Sequence, residues 1–325
     1  MHFLHGYLLL YLYSYLYGYI QMYVKNARII RTYKTWHHYV IVEPLTEVED
    51  ILNYLSNDSS PIHGHYIMVE VDENPGAGYL SWHIPGSILL KLYGDLLRDI
   101  GVIRDTDALI IDLATRGITQ DRHIVLLDEI DNRHAAIAYM ILKALGFKRI
   151  SILNGGKVNW LIHRGPSCTC GGHTYRGIFD PRNWSNITVS LKDYFVNFDQ
   201  VYGLVTNGNI GNNILLIDVR SPCEYMGDDV DIWGHIPGAI NMPWNLFLDP
   251  RTNRFRKLDE IGMVVDKYGL SPSDDIILYC RTGGRSALVW FALTELLGFS
   301  RVRVYLGSWL DWISHGAPIK RGGKP

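Results

Sequence analysis

Residues 275–286 read Asp275-Ile276-Ile277-Leu278-Tyr279-Cys280-Arg281-Thr282-Gly283-Gly284-Arg285-Ser286. An apolar run ends on a cysteine, two glycines follow, and residues 287–298 continue as an amphipathic stretch. The pattern predicts a strand, a tight turn and a helix. A cysteine at that junction is chemically primed. Backbone N–H groups of the turn and of the helix N-terminus point at its sulfur. Such a field lowers a thiol pKa from about 8.5 toward neutrality. Arg281 and Arg285 add full positive charge, so the site favours a thiolate and attracts an anionic substrate. The competing reading is a buried strand-end thiol that merely packs. Gly283 and Gly284 argue against it, because both permit positive φ and let successive N–H groups converge as an anion nest.

Working outward, the chain repeats itself at an offset of 152. His83-Ile84-Pro85-Gly86 matches His235-Ile236-Pro237-Gly238, and residues 124–166 align with 276–318 without a gap, twelve of 43 pairs being identical. Val69-Glu70-Val71-Asp72 stands opposite Ile217-Asp218-Val219-Arg220. Each copy reads as α/β. In the second, residues 214–217, 276–279 and 302–305 are short apolar strands, and Arg256 to Tyr268 has helical spacing that stops at Gly269. Strands alternating with helices imply a parallel sheet with helices on both faces, with ligands beyond the carboxyl ends of the strands. Cys280 lies at such an end. Its counterpart is Asp128, in a loop reading Asp128-Glu129-Ile130-Asp131-Asn132-Arg133. Aspartate offers no thiolate, the glycines are gone and three carboxylates would repel an anion, so the first copy is expected to be catalytically silent and to shape the entrance of the second site. His235 reads as structural, since its partner His83 sits in the silent copy. Asp218 and Glu224 read as structural too, with a Glu224 salt bridge the alternative role for Arg220.

The loop Cys280-Arg281-Thr282-Gly283-Gly284-Arg285, together with Leu215 to Arg220, Glu224-Tyr225 and Gly234 to Pro243, resembles the rhodanese sulfurtransferases in order and spacing. The resemblance covers about residues 40 to 320. It implies an α/β fold of two tandem rhodanese-like domains and a double displacement in which Cys280 takes a sulfane sulfur as a persulfide and passes it to cyanide or a thiol. It also implies substrate contacts from Arg220, Arg281, Thr282, Gly283, Gly284 and Arg285, with Arg285 alternatively bracing the loop. Arg281 followed by Thr282 mixes features of thiosulfate and 3-mercaptopyruvate enzymes. The absence of a further arginine between Arg220 and His235 favours thiosulfate. A persulfide carrier or docking module is the alternative of another class. Cysteine phosphatases use Cys-x5-Arg; Cys280 to Arg285 is one residue shorter and suits a single sulfur atom.

The implied organisation is an extension over 1–39, a silent domain over 40–167, a linker over 168–185 and a catalytic domain over 186–325. With 31 basic against 33 acidic residues, nothing points to nucleic acid. Four cysteines, at 168, 170, 223 and 280, make no disulfide framework and fit a reducing, cytoplasmic setting. Cys168, Cys170 and His173 lack the second ligand pair of a zinc site and read as free linker groups. No metal or cofactor is expected. Cys223 reads as a plain loop cysteine, with a resolving thiol as the alternative. Phe3 to Val24 holds no charged residue and seven tyrosines. It is long enough to span a bilayer, yet its tyrosine-rich centre suits an interface better than hydrocarbon. A loose extension or start artefact, a membrane anchor and a docked segment are the three readings.

Overall fold

Short runs of Ile, Leu and Val form the strands β1 (Leu45–Thr46), β2 (Tyr66–Asp72), β3 (Ile88–Lys91), β4 (Leu97–Asp99), β5 (Val102–Ile103), β6 (His123–Leu127), β7 (Ile150–Leu153), β8 (Phe195–Val196), β9 (Leu215–Asp218), β10 (Ile240–Asn241), β11 (Ile276–Tyr279) and β12 (Val302–Tyr305). This computed structural model describes residues 43–57, 66–169, 189–211, 214–227 and 234–323. The N-terminal stretch, Cys170 and His173 lie outside the described residues.

One sheet has the order β1-β7-β6-β2-β3 and the other β8-β12-β11-β9-β10. Every pairing in both is parallel. The orders coincide when β1, β7, β6, β2 and β3 are matched to β8, β12, β11, β9 and β10. The duplication read from the sequence is therefore a duplication of topology. Helices cover both faces, which is why a strand such as β11 is buried along its whole length and carries no polar alternation. The helix predicted over 256–268 runs Leu258–Lys267. It starts later because Lys257 is extended and its N–H is held by the Glu260 carboxylate at 3.1 Å. Gly269 closes it at φ +67°.

Both copies lie in one compact unit, Val42–Pro325. The helices that follow the two equivalent loops, Arg133–Ala144 and Gly284–Phe291, pack against each other. Tyr139 meets Phe291 edge-on at 4.9 Å, its hydroxyl donates to Glu295 at 3.0 Å, and Lys143 pairs with the same carboxylate at 3.0 Å. One apolar core runs from Val69 and Leu126 through Ile137 and Tyr139 to Trp290, Phe291 and Leu278. Each large apolar side chain buried there contributes about 1.5–3 kcal/mol. The hairpin β4–β5 carries Gly101, φ +75°, onto the other copy, where a Cβ would stand 2.4 Å from the Cα of Gly307. Its counterpart Asn253, φ +55°, reaches back the other way and donates to the Ile130 carbonyl at 2.8 Å.

The repeat also preserves small motifs. Tyr79 stacks on His83 and Tyr225 on His235, with interplanar angles of 8° and 10°, and each histidine Nδ1 faces the tyrosine's carbonyl. A pair that recurs in the copy without the cysteine belongs to the fold, as expected for His235.

Candidate active site

β11 delivers Cys280 to the carboxyl edge of its sheet, where it is 1% exposed. The chain then turns through Arg281 and Thr282, and Gly283 takes φ +99° as the N-cap of the following helix. A side chain at Gly283 would also collide with Leu306, whose carbonyl lies 2.8 Å from the Cβ position. The turn aims the Gly283 N–H at the Cys280 sulfur, 3.1 Å away. Ser286 Oγ stands 3.7 Å and Ser308 Oγ 4.0 Å from the same atom. Ser308 Oγ also accepts the Cys280 N–H at 3.1 Å and donates to the Tyr305 carbonyl at 2.8 Å. Burial pushes the Cys280 thiol up. The Arg285 charge and the hydrogen bonds of Ser286 and Thr282 outweigh it, and the thiol is lowered.

The loop opens on a cavity of about 360 Å³. Arg281, Thr282, Gly284 and Arg285 line it from the second domain, and Glu73, Tyr93 and His134 line it from the first. The sequence expectations divide here. Arg281 is exposed at the mouth and has no partner among the described residues. Arg285 borders the cavity but is held bidentately by Glu224, at 2.7 and 2.8 Å. That contact drags Glu224 down to about 2 against the upward push of its burial. Gly284 keeps ordinary helical backbone, so only Gly283 needs the left-handed freedom expected of both.

Arg220, expected at the substrate, is fully buried, salt-bridged to Asp218 at 2.6 Å, and donates to the Gly234 carbonyl at 2.7 Å. Its guanidinium lies 4.4 Å from the Trp309 ring. The first domain makes a comparable ion pair with its anion at the matching position, Glu70 opposite Asp218, and its cation from elsewhere: Glu70 and Lys157 are 3.0 Å apart, and the Lys157 ammonium is 4.0 Å from the Trp82 ring. A buried cation on an aromatic face is thus common to both copies. The Glu224 bridge foreseen for Arg220 goes to Arg285.

Asp128, opposite Cys280, occupies a nest of its own. Its carboxylate accepts from the N–H groups of Ile130 (3.2 Å), Asn132 (2.9 Å), His134 (2.8 Å) and Ala135 (3.3 Å). The loop has kept the anion cage and filled it with a side chain. Asp72 and Glu129 stand where the second copy has Arg220 and Arg281. Burial and the Asp72 charge push Glu129 up to about 7.

The first domain was expected to shape the entrance, but Ser286, Ser308 and the particular wall residues Glu73, Tyr93 and His134 were not foreseen. Ser308 alone left a trace, as the one non-glycine opposite the Gly155-Gly156 pair. The linker also differs from expectation: Cys168 is disulfide-bonded, not free, and its backbone pairs with His83 in both directions at 2.9 Å. Cys223 is a free, exposed thiol. No helix of the described residues is long and apolar enough to cross a membrane.

Two parallel-sheet domains in tandem, with a cysteine caged by N–H groups at one strand end, define a class of sulfur-handling protein. The Rhodanese-like domain family matches residues 58–163 and 199–315, and the chain belongs to that family as a two-domain rhodanese sulfurtransferase. A Mycobacterium bovis protein provisionally named thiosulfate sulfurtransferase 1 is 34% identical over 79% of this chain and 92% of its own. The sulfur carrier protein TtuD of Thermus thermophilus is 31% identical over 78% of this chain and 90% of its own. Wild-type EanB superposes with a TM-score of 0.72 at 23% identity, covering 86% of this chain and 70% of that one, a likeness of fold.

Proposed function

We propose that the protein takes its sulfur from thiosulfate and that Cys280 carries it. The supporting observation is the Cys280 sulfur, 3.1 Å from the Gly283 N–H and lowered as a thiol by the Arg285 charge and the hydrogen bonds of Ser286 and Thr282, beside a cavity also lined by Arg281, whose guanidinium has no partner among the described residues. The thiolate attacks the outer sulfur of thiosulfate. The sulfur–sulfur bond breaks and sulfite leaves with its electron pair, leaving a persulfide on Cys280. A cyanide or thiolate acceptor then attacks the terminal sulfur, and Cys280 departs as the thiolate it began as. Splitting the transfer lowers each barrier, and the loop N–H groups face the sulfur anion in both halves. The similarity to thiosulfate sulfurtransferases supports the donor, and the absence from the sequence of a further arginine between Arg220 and His235 favours it over 3-mercaptopyruvate.

Intact-mass spectrometry after thiosulfate treatment tests this. A gain of about 32 Da, lost in Cys280→Ser with the fold intact, is expected of a cysteine nucleophile. No gain refutes the role of Cys280. A gain without turnover of thiosulfate and cyanide would make the protein a carrier, the function named for TtuD.

A further inference from the structure

We infer that Glu73, supplied by the domain that lacks the cysteine, is a specificity-determining residue that selects sulfur acceptors bearing an ammonium group. The inference rests on the Cys280 persulfide reading above.

Three observations carry it. First, of the two carboxylates on the cavity wall, only Glu73 is available. Glu224 is taken up by Arg285 and by the Ser221 N–H and hydroxyl, at 3.1 and 3.0 Å. The Glu73 side chain is 54% exposed and, among the described residues, pairs only with the His134 imidazole, at 3.4 Å. Second, the cations are divided in the same way. Arg285 is bound by Glu224, Arg133 donates to Asp131 at 2.6 Å, and Arg281 is free among the described residues. The cavity mouth therefore presents one available positive group from the second domain and one available negative group from the first. Third, Tyr93 lines the same cavity as Glu73 and Cys280. Burial pushes its phenol up, and Glu73, Asp99 and Cys280 all push it further, so both the carboxylate and the sulfur lie within electrostatic reach of one ring.

A dianionic donor has no use for Glu73. The residue serves the second half of the cycle, when the incoming group is a thiol. At about 360 Å³ the cavity is at the small end of ligand sites, which suits a small molecule. An aminothiol would set its ammonium against Glu73 and, if it is an amino acid, its carboxylate against Arg281. Its thiolate then forms a bond to the terminal sulfur of the persulfide. The Cys280–sulfur bond breaks, and its electron pair returns to Cys280. The product is a small persulfide, with no net oxidation.

The test compares cysteamine with 2-mercaptoethanol, which differ by an ammonium against a hydroxyl, using native protein and Glu73→Gln with thiosulfate as donor. Persulfide mass on Cys280 is followed in parallel. The expected result is a fall of about tenfold in kcat/KM for cysteamine with little change for 2-mercaptoethanol, the worth of one charge-assisted contact. Glu73→Asp should restore part of it. Equal effects on both thiols, with the persulfide intact, overturn this inference alone. Absence of the persulfide on Cys280 in the native protein overturns the mechanism and this inference with it.

Discussion

Ser308 in the second domain holds the left-handed backbone position that Gly156 holds in the first, with φ of +58° against +53°. Glycine adopts that region freely, whereas a residue with a Cβ pays about 1–2 kcal/mol there. Strain of this kind persists where a side chain is needed. Ser308 Oγ is the group that fixes the Cys280 N–H and approaches its sulfur.

Ser308→Gly should therefore leave overall stability within about 1 kcal/mol of native, backbone relief offsetting the lost hydrogen bonds. Sulfur transfer should still drop, and the pH at which Cys280 is alkylated at half its maximal rate should rise. Chemical denaturation and iodoacetamide kinetics against pH check the two halves. Unchanged alkylation kinetics would reduce Ser308 to a packing residue.

Asp128→Ala should cost stability without touching chemistry directly. It leaves four N–H groups without their carboxylate, and a buried donor left unsatisfied costs about 1–3 kcal/mol. The melting temperature should fall, while persulfide formation per folded molecule stays at the native level. Asp128→Cys should gain no sulfur from thiosulfate. The cage would receive the thiolate, but Asp72, Glu129 and Asp131 would repel the donor.

Two glutamates should tilt stability with pH in opposite senses. Glu224, held down to about 2, contributes stability that is full above its unfolded pKa near 4.5 and is lost as pH falls from there toward 2. Glu129, pushed up to about 7, binds its proton more tightly folded than unfolded. Its contribution is full below about 4.5 and is lost as pH rises through 7. Thermal melts of Glu224→Gln should show a shallower acid limb. Glu129→Gln should be more stable than native at pH 8 and lose the decline between pH 5 and 8.

Arg281→Gly should reduce thiosulfate use by roughly 10- to 150-fold, the loss of one charge-assisted contact. Use of 3-mercaptopyruvate should fall less, because that donor carries a single negative charge. An unchanged ratio of the two activities in steady-state assays would place Arg281 in solvent throughout the cycle.

Much of the fold was legible because its signals are local. β11 is buried on both faces and shows as an unbroken apolar run, β12 is broken only by the half-buried Arg303, and the duplication transfers each assignment to the other copy. The cysteine loop was legible for the same reason: nucleophile, glycine and cation fall within six residues. What could not be read depends on distant segments. Glu224 and Arg285 are 61 positions apart, and only the packed sheet shows that they meet, leaving Arg220 to Asp218. Glu73, Tyr93 and His134 carry no motif. They reach the cavity because the helix Arg133–Ala144 packs on its counterpart. Strands of two residues, such as β8 and β10, are too short for any periodicity.

That helix pair has a further consequence. Two equivalent helices face each other across the centre of the chain, and each hairpin tip reaches the opposite copy, Gly101 onto Gly307 and Asn253 onto Ile130. This is the geometry of an isologous dimer whose protomers have been joined end to end. In a separate homodimer every substitution appears twice, so neither site can be given up for the other's benefit. Fusion removes that constraint. One protomer's nucleophile could become a carboxylate that tightens its own loop, and residues near that loop could become furniture for the neighbour's cavity, without the partner changing in step.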